Sequence, residues 1–171
     1  MIRSLFFGVF ILVSLPAFCQ KEAGQTTSFI VSGDVKSPVT ITLNDILKSP
    51  EMAIGDVIIT NHLGEKKSEQ KAIKGVRLKD ILASVELNNE SPKVLSEYYF
   101  ACKATDGYLV VYSWNEIFNS PSGESVYLIT SKNGVSAKDL EESILMISPK
   151  DYKTGRRYIK SLASIEVKRA Q

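Results

Sequence analysis

Few side chains in this sequence are suited to chemistry, and most of them fall at turns. His62 is the single histidine, set in Asn61-His-Leu-Gly-Glu65. At a hairpin tip it could donate to a ligand, exchange a proton or help hold a metal, or it could be an ordinary loop residue packed on a neighbouring strand. No ligand spacing accompanies it, so a metal centre has no motif behind it. Asp106-Gly107-Tyr108 could place a carboxylate and a phenol at a pocket rim; Asp-Gly is equally the default chemistry of a tight turn. Lys150, Lys153, Arg156, Arg157 and Lys160 gather around Thr154-Gly155. A guanidinium fork and ammonium groups suit phosphate or carboxylate, although a charged loop can also be plain solvated surface. Without a Gly-rich cradle, anion binding there would rest on side chains alone. No histidine-paired nucleophile or Gly-x-Ser-x-Gly elbow occurs, which argues against a hydrolase.

The elements that must carry these residues are short. Phe29, Val31, Gly33 and Val35 alternate with more polar neighbours and predict a first strand, and Val39 to Leu43 a second. Thr42 and Asp45 have capping-box spacing, opening a short helix that Pro50 stops. The run Val57-Ile-Ile59 reads as a buried strand, followed by the 62–65 hairpin and a charged return strand through Ala72. From Gly75 an amphipathic helix is predicted, because Leu78, Ile81, Leu82 and Val85 recur at helical spacing. Tyr98 to Lys103 is a strand containing Cys102, which reads as a buried, inert thiol. Then Asp106-Gly107 turns the chain, Tyr108 to Tyr112 forms an apolar strand read as buried, and Ser113-x-x-Glu116 caps a helix. Val126–Thr130, Ile144–Ile147 and Ile159–Lys168 are the remaining strands, with Asn133-Gly134 as a turn. No repeat or second composition regime appears, so residues 28–171 form one α+β domain.

Composition narrows the class further. The chain has 171 residues and a formal net charge of +2, which gives no concentrated basic face for nucleic acid. Arg3, the apolar run Leu5 to Leu15, Pro16 and Ala17-Phe-Cys19 have the layout of an export signal over residues 1–19, with cleavage before Gln20. That run is shorter than the roughly 20 apolar residues of a membrane span, so no transmembrane segment is expected after cleavage. A lipid anchor on Cys19 is the alternative, with Phe18 bulkier than the small residue preferred there. Residues 20–27 are polar and aperiodic and read as a flexible leader. A periplasmic or extracellular protein is expected. Its mature form would keep one cysteine, too few for an intramolecular disulfide.

Four segments, taken in order, resemble the oxidoreductase molybdopterin-binding domain family, the sulfite-oxidase-type fold. They are Val31-Ser-Gly-Asp-Val-Lys-Ser-Pro-Val-Thr-Ile-Thr-Leu43, Gly75-Val-Arg-Leu-Lys-Asp-Ile-Leu82, Ala104-Thr-Asp-Gly-Tyr108 with Glu116, and Ile147-Ser-Pro-Lys-Asp151 followed by Gly155-Arg-Arg-Tyr-Ile-Lys160 and Ile165-Glu-Val167. The resemblance implies a single sulfite-oxidase-like domain of mixed strands with a few short helices. It also implies that the family's cofactor region is matched here by His62, Asp106, Tyr108, Arg157 and Lys160, the last two at an Arg-x-x-Lys position near the pterin and its phosphate. Redox members hold molybdenum through a pterin dithiolene and one cysteine thiolate placed just after the strand matching Val57 to Thr60. Here Thr60-Asn-His-Leu-Gly-Glu65 contains no cysteine, and hard oxygen or amide groups do not replace a soft thiolate without changing the metal's coordination. The chain looks like a shortened, exported subgroup with a hairpin in that position. The expectation is therefore a non-redox binding or accessory module, with no cofactor, that uses the former cofactor cleft for a small anionic ligand or a protein partner. The alternative is a periplasmic molybdopterin-dependent oxidoreductase, or its cofactor-binding subunit, that keeps the pterin without a cysteine ligand.

Overall fold

The computed structural model describes residues 24–170. The export signal predicted over residues 1–19 lies outside them. Strands β1 (Ser28–Gly33) and β2 (Val39–Thr42) pair antiparallel, and helix α1 (Leu43–Lys48) follows directly. Thr42 and Asp45 form the predicted capping box: the Thr42 hydroxyl accepts from Asp45 N, and the Asp45 carboxylate accepts from Thr42 N at 2.9 Å. Strands β3 (Met52–Thr60) and β4 (Lys66–Arg77) make a long hairpin, and α2 (Leu78–Leu82) ends it. Then come β5 (Tyr98–Ala104), β6 (Leu109–Ser113), α3 (Trp114–Phe118), β7 (Tyr127–Lys132), β8 (Val135–Ser136), β9 (Met146–Ile147) and β10 (Leu162–Arg169).

Two five-stranded sheets result. One runs β2-β1-β10-β5-β6, and the other runs β3-β4-β7-β8 with β9 also paired to β7. In the first sheet β1 lies parallel to β10, so the two ends of the described chain meet in its middle. Inward-facing Phe29, Val31, Phe100, Cys102, Tyr112 and Ile165 of that sheet join Val76, Leu128 and Ile147 of the other in one core. Period-two alternation decides which side chains reach it.

Several expectations are corrected by tertiary context. The helix predicted from Gly75 begins only at Leu78, because Gly75 pairs with Met52 on one side and Ile129 on the other and keeps the chain in β4 through Arg77. The apolar runs read as buried strands at 57–59 and 108–112 are edge strands: Ile58, Leu109 and Val111 are about half exposed. A continuous apolar run cannot distinguish a strand covered on both faces from an edge strand carrying outward aliphatics. Ile144–Ile147 is wholly buried, yet only Met146–Ile147 pairs as strand, and β10 starts at Leu162 after Ser161 takes a positive φ of 54°. The polar leader also packs earlier than expected. Thr26 is buried, and Leu43 N donates to Thr27 O at 2.8 Å.

Candidate functional site

A cleft of about 740 Å³ opens between β3 and the segment Pro149–Thr154, with Ser125 and Tyr127 also lining it. Three contacts hold the two walls together. Thr154 is buried, and its hydroxyl donates to Ile58 O at 2.6 Å while accepting from Thr60 N at 3.1 Å, so one side chain substitutes for a strand partner at the β3 edge. Gly155 lies so close to β3 that an added Cβ would sit 1.9 Å from Thr60 O. Lys153 Nζ donates to His62 O at 2.7 Å, tying the hairpin tip to the same wall.

Arg157 braces this wall from behind. Its Nε donates to Asp151 Oδ2 at 2.6 Å and its Nη2 to Asp151 Oδ1 at 2.5 Å, a bidentate fork, while Nη1 reaches Glu116 Oε1 at 3.1 Å. The guanidinium carbon stands 4.6 Å from the centroid of the Tyr112 ring. The Tyr112 hydroxyl pairs in turn with Ser148 Oγ at 2.8 Å, just before the wall begins. The Asp151 bonds hold the Arg157 pKa well above its ordinary value despite partial burial, and burial pushes the Tyr112 phenol up. Glu116 serves both arrangements, since its other oxygen accepts from Ser113 N at 2.8 Å in the capping box of α3.

The residues expected to bind a ligand are therefore mostly braces. Arg157 is committed to Asp151 and Glu116, and Lys160 Nζ pairs with Glu142 Oε1 at 2.9 Å beside the buried Lys132. Their cationic groups answer different carboxylates instead of converging on one anion. Asp106 Oδ1 accepts from Tyr108 N at 2.8 Å, closing its own turn at Gly107, whose φ is +92°. The Tyr108 hydroxyl donates to Arg156 O at 2.7 Å, a further tether on the Thr154–Arg157 turn. His62 is exposed at the tip of a hairpin built by Asn61, whose Oδ1 accepts from Leu63 N and Glu65 N. None of the five lines the cleft.

What does line it was less visible. Ser125 is 3% exposed, and the hydroxyls of Ser125 and Thr60 are buried without a hydrogen-bond partner. A buried hydroxyl left unpaired costs about 1 to 3 kcal/mol, so a group that bonds it is favoured in return. Lys150 lines the cleft and forms no ion pair among the described residues. Lys66 is already paired with Glu69 at 2.6 Å, and Asp56 has one carboxylate oxygen held by Ala72 N. Serine is too common a residue to have singled out Ser125 in the sequence. An aromatic interleaved with lysines would have been a usable signal for Tyr152.

A thiolate-held molybdenum does not fit these residues. Cys102, the one cysteine among the described residues, is sealed in the core, and burial pushes its thiol up to about 12. The cleft is lined by hydroxyl and carboxylate residues, which are hard oxygen ligands, and by lysines, whose ammonium groups have no lone pair to give a metal.

No family model matches the chain, and no curated protein matches it. Among solved structures, it is similar to a chain of the sulfane dehydrogenase SoxCD from Paracoccus pantotrophus, with a TM-score of 0.61. The fold is similar to part of that dehydrogenase chain. The match covers 84% of this chain and 38% of that one at 15% identity, so it speaks for the fold alone.

Proposed function

We propose that this chain is an exported, sulfite-oxidase-like binding module that takes a small anion in the cleft between β3 and Pro149–Thr154, without metal redox chemistry of its own. The observation that carries the reading is the unpaired ammonium of Lys150 in a cleft also lined by Ser125 and Thr60, whose buried hydroxyls have no hydrogen-bond partner. The ammonium supplies positive charge to an oxyanion, and an anion that shifts the wall enough to reach the two hydroxyls would remove the cost of leaving them unpaired. The cleft adjoins Thr60-Asn-His-Leu-Gly-Glu65, where the redox relatives that this sequence resembles carry their cysteine. Export rests on the Arg3, Leu5 to Leu15 and Ala17-Phe-Cys19 pattern.

Calorimetric titration of the mature protein with sulfate and with phosphate tests the reading. Saturable binding is expected, weakened by roughly tenfold or more in Ser125→Ala and in Lys150→Ala, the size of one lost charge-assisted bond. No binding of either anion, or unchanged affinity in both variants, would reject it. The second reading, an oxidoreductase holding a molybdenum pterin, draws support from the likeness in fold to a dehydrogenase chain. Metal and pterin analysis of protein made in a cell with an intact molybdenum cofactor pathway separates the two. Molybdenum at one per chain would favour the enzyme.

A further inference from the structure

The cleft has a second chemical character that an inorganic anion would leave unused. Its volume of about 740 Å³ lies within the range of sites for organic ligands, roughly 300 to 1,000 Å³, and far exceeds one tetrahedral oxyanion. Tyr152 stands at its rim fully exposed, and its phenol makes no hydrogen bond among the described residues. Tyr152 also lines the adjoining surface cleft formed with Lys150, Lys153 and Arg156. Tyr127, Ile54, Ile58 and Pro149 give the main cleft its apolar walls. The loop that presents Tyr152 is not loose. Asp151 on one side is gripped by Arg157, and Thr154 on the other is buried against β3. The backbone that carries Tyr152 is thus anchored, and its bare, wholly exposed ring lines the same cleft as the unpaired ammonium of Lys150.

Building on the anion-binding reading, we propose that the ligand is an aryl oxyanion: a planar aromatic ring bearing a sulfonate-, phosphate- or carboxylate-type group. The anionic group meets Lys150, with Ser125 and Thr60 lining the wall beside it, and the ring stacks on Tyr152. Asp56 also lines the cleft, four residues before Thr60 on β3, with one carboxylate oxygen held by Ala72 N. Offset stacking on the Tyr152 ring adds affinity that an aliphatic ring of similar size does not gain.

The test is calorimetry on the mature protein with three probes: sulfate, cyclohexanesulfonate and benzenesulfonate. Benzenesulfonate is expected to bind three- to tenfold more tightly than cyclohexanesulfonate. That preference should vanish in Tyr152→Ala and persist in Tyr152→Phe; both variants should fold, because the side chain is wholly exposed. Equal affinity for the two ring sulfonates, or a preference that survives Tyr152→Ala, would overturn the aryl ligand while sulfate binding left the anion site standing. Failure of all three probes, sulfate included, would remove the anion site and the aryl ligand together.

Discussion

Arg157 directs three nitrogens at two carboxylates and lays its plane over Tyr112, with its side chain only 22% exposed. Replacing it leaves the partly buried Asp151 unpaired, so Arg157→Ala should lower stability by about 1 to 3 kcal/mol in chemical denaturation. Arg157→Lys should recover only part of that, since an ammonium restores charge without the fork. Ser125 is expected to behave in the opposite way. Its hydroxyl has no partner in the free protein, so Ser125→Ala should leave the melting temperature unchanged or raised even as it weakens anion binding. A fall in both quantities would indicate that Ser125 supports the fold instead of the ligand. Cys102 is fully buried with its thiol pushed up to about 12, and it should resist alkylation in the native protein until unfolding exposes it, as read by mass spectrometry.

At the scale of elements, the cleft depends on how the Thr154–Arg157 turn docks on the edge of β3. Gly155→Ala would place a methyl group 1.9 Å from Thr60 O, a backbone atom that cannot move without disturbing the hairpin. We expect this variant to lift the 149–156 segment from β3, with a loss of about 2 kcal/mol or more and faster amide exchange confined to that segment and to the end of β3. Thr154→Val tests the same joint by removing the donor to Ile58 O and the acceptor for Thr60 N while keeping the side chain's shape. Exchange unchanged in both variants would show that the wall is held by Lys153, Arg157 and Tyr108 instead.

Over the whole molecule, the parallel pairing of β1 with β10 binds the two ends of the described chain into one cooperative unit. Carboxylates held by cations set its acid limit. Burial pushes the Glu142 carboxyl up, but its hydrogen bond to Lys160 and the charges of Lys132 and Lys160 outweigh that and leave it below its ordinary value. A carboxyl depressed by folding stabilises the native state above its unfolded pKa, about 4.3, and the contribution is lost as pH falls through the lower folded value. Stability against urea should therefore decline below about pH 4.5. Glu142→Gln should be less stable at neutral pH, and its stability should change less over that acid window.

The sequence by itself determined the local elements whose cause is local. Both capping boxes, the Asp106-Gly107 and Asn133-Gly134 turns, the alternation of β1 and the buried Cys102 follow from neighbouring residues, and they stand as read. It also set the absence of cysteine from Thr60 to Glu65. Tertiary structure decided whatever depends on a distant partner. Gly75 stays in β4 because Met52 and Ile129 flank it, and the runs at 57–59 and 108–112 lie at sheet edges because no further strand among the described residues pairs beyond them. The basic cluster read either as an anion site or as a solvated surface, because charges adjacent in sequence do not show their partners, and Asp151, Glu116 and Glu142 divide Arg157 and Lys160 between separate pairs. The cleft's own donors are a serine and a threonine whose hydroxyls became unpartnered only when β3, Ser125 and Pro149–Thr154 packed together. Side-chain type is written in the sequence, whereas pairing and desolvation arise only from long-range packing.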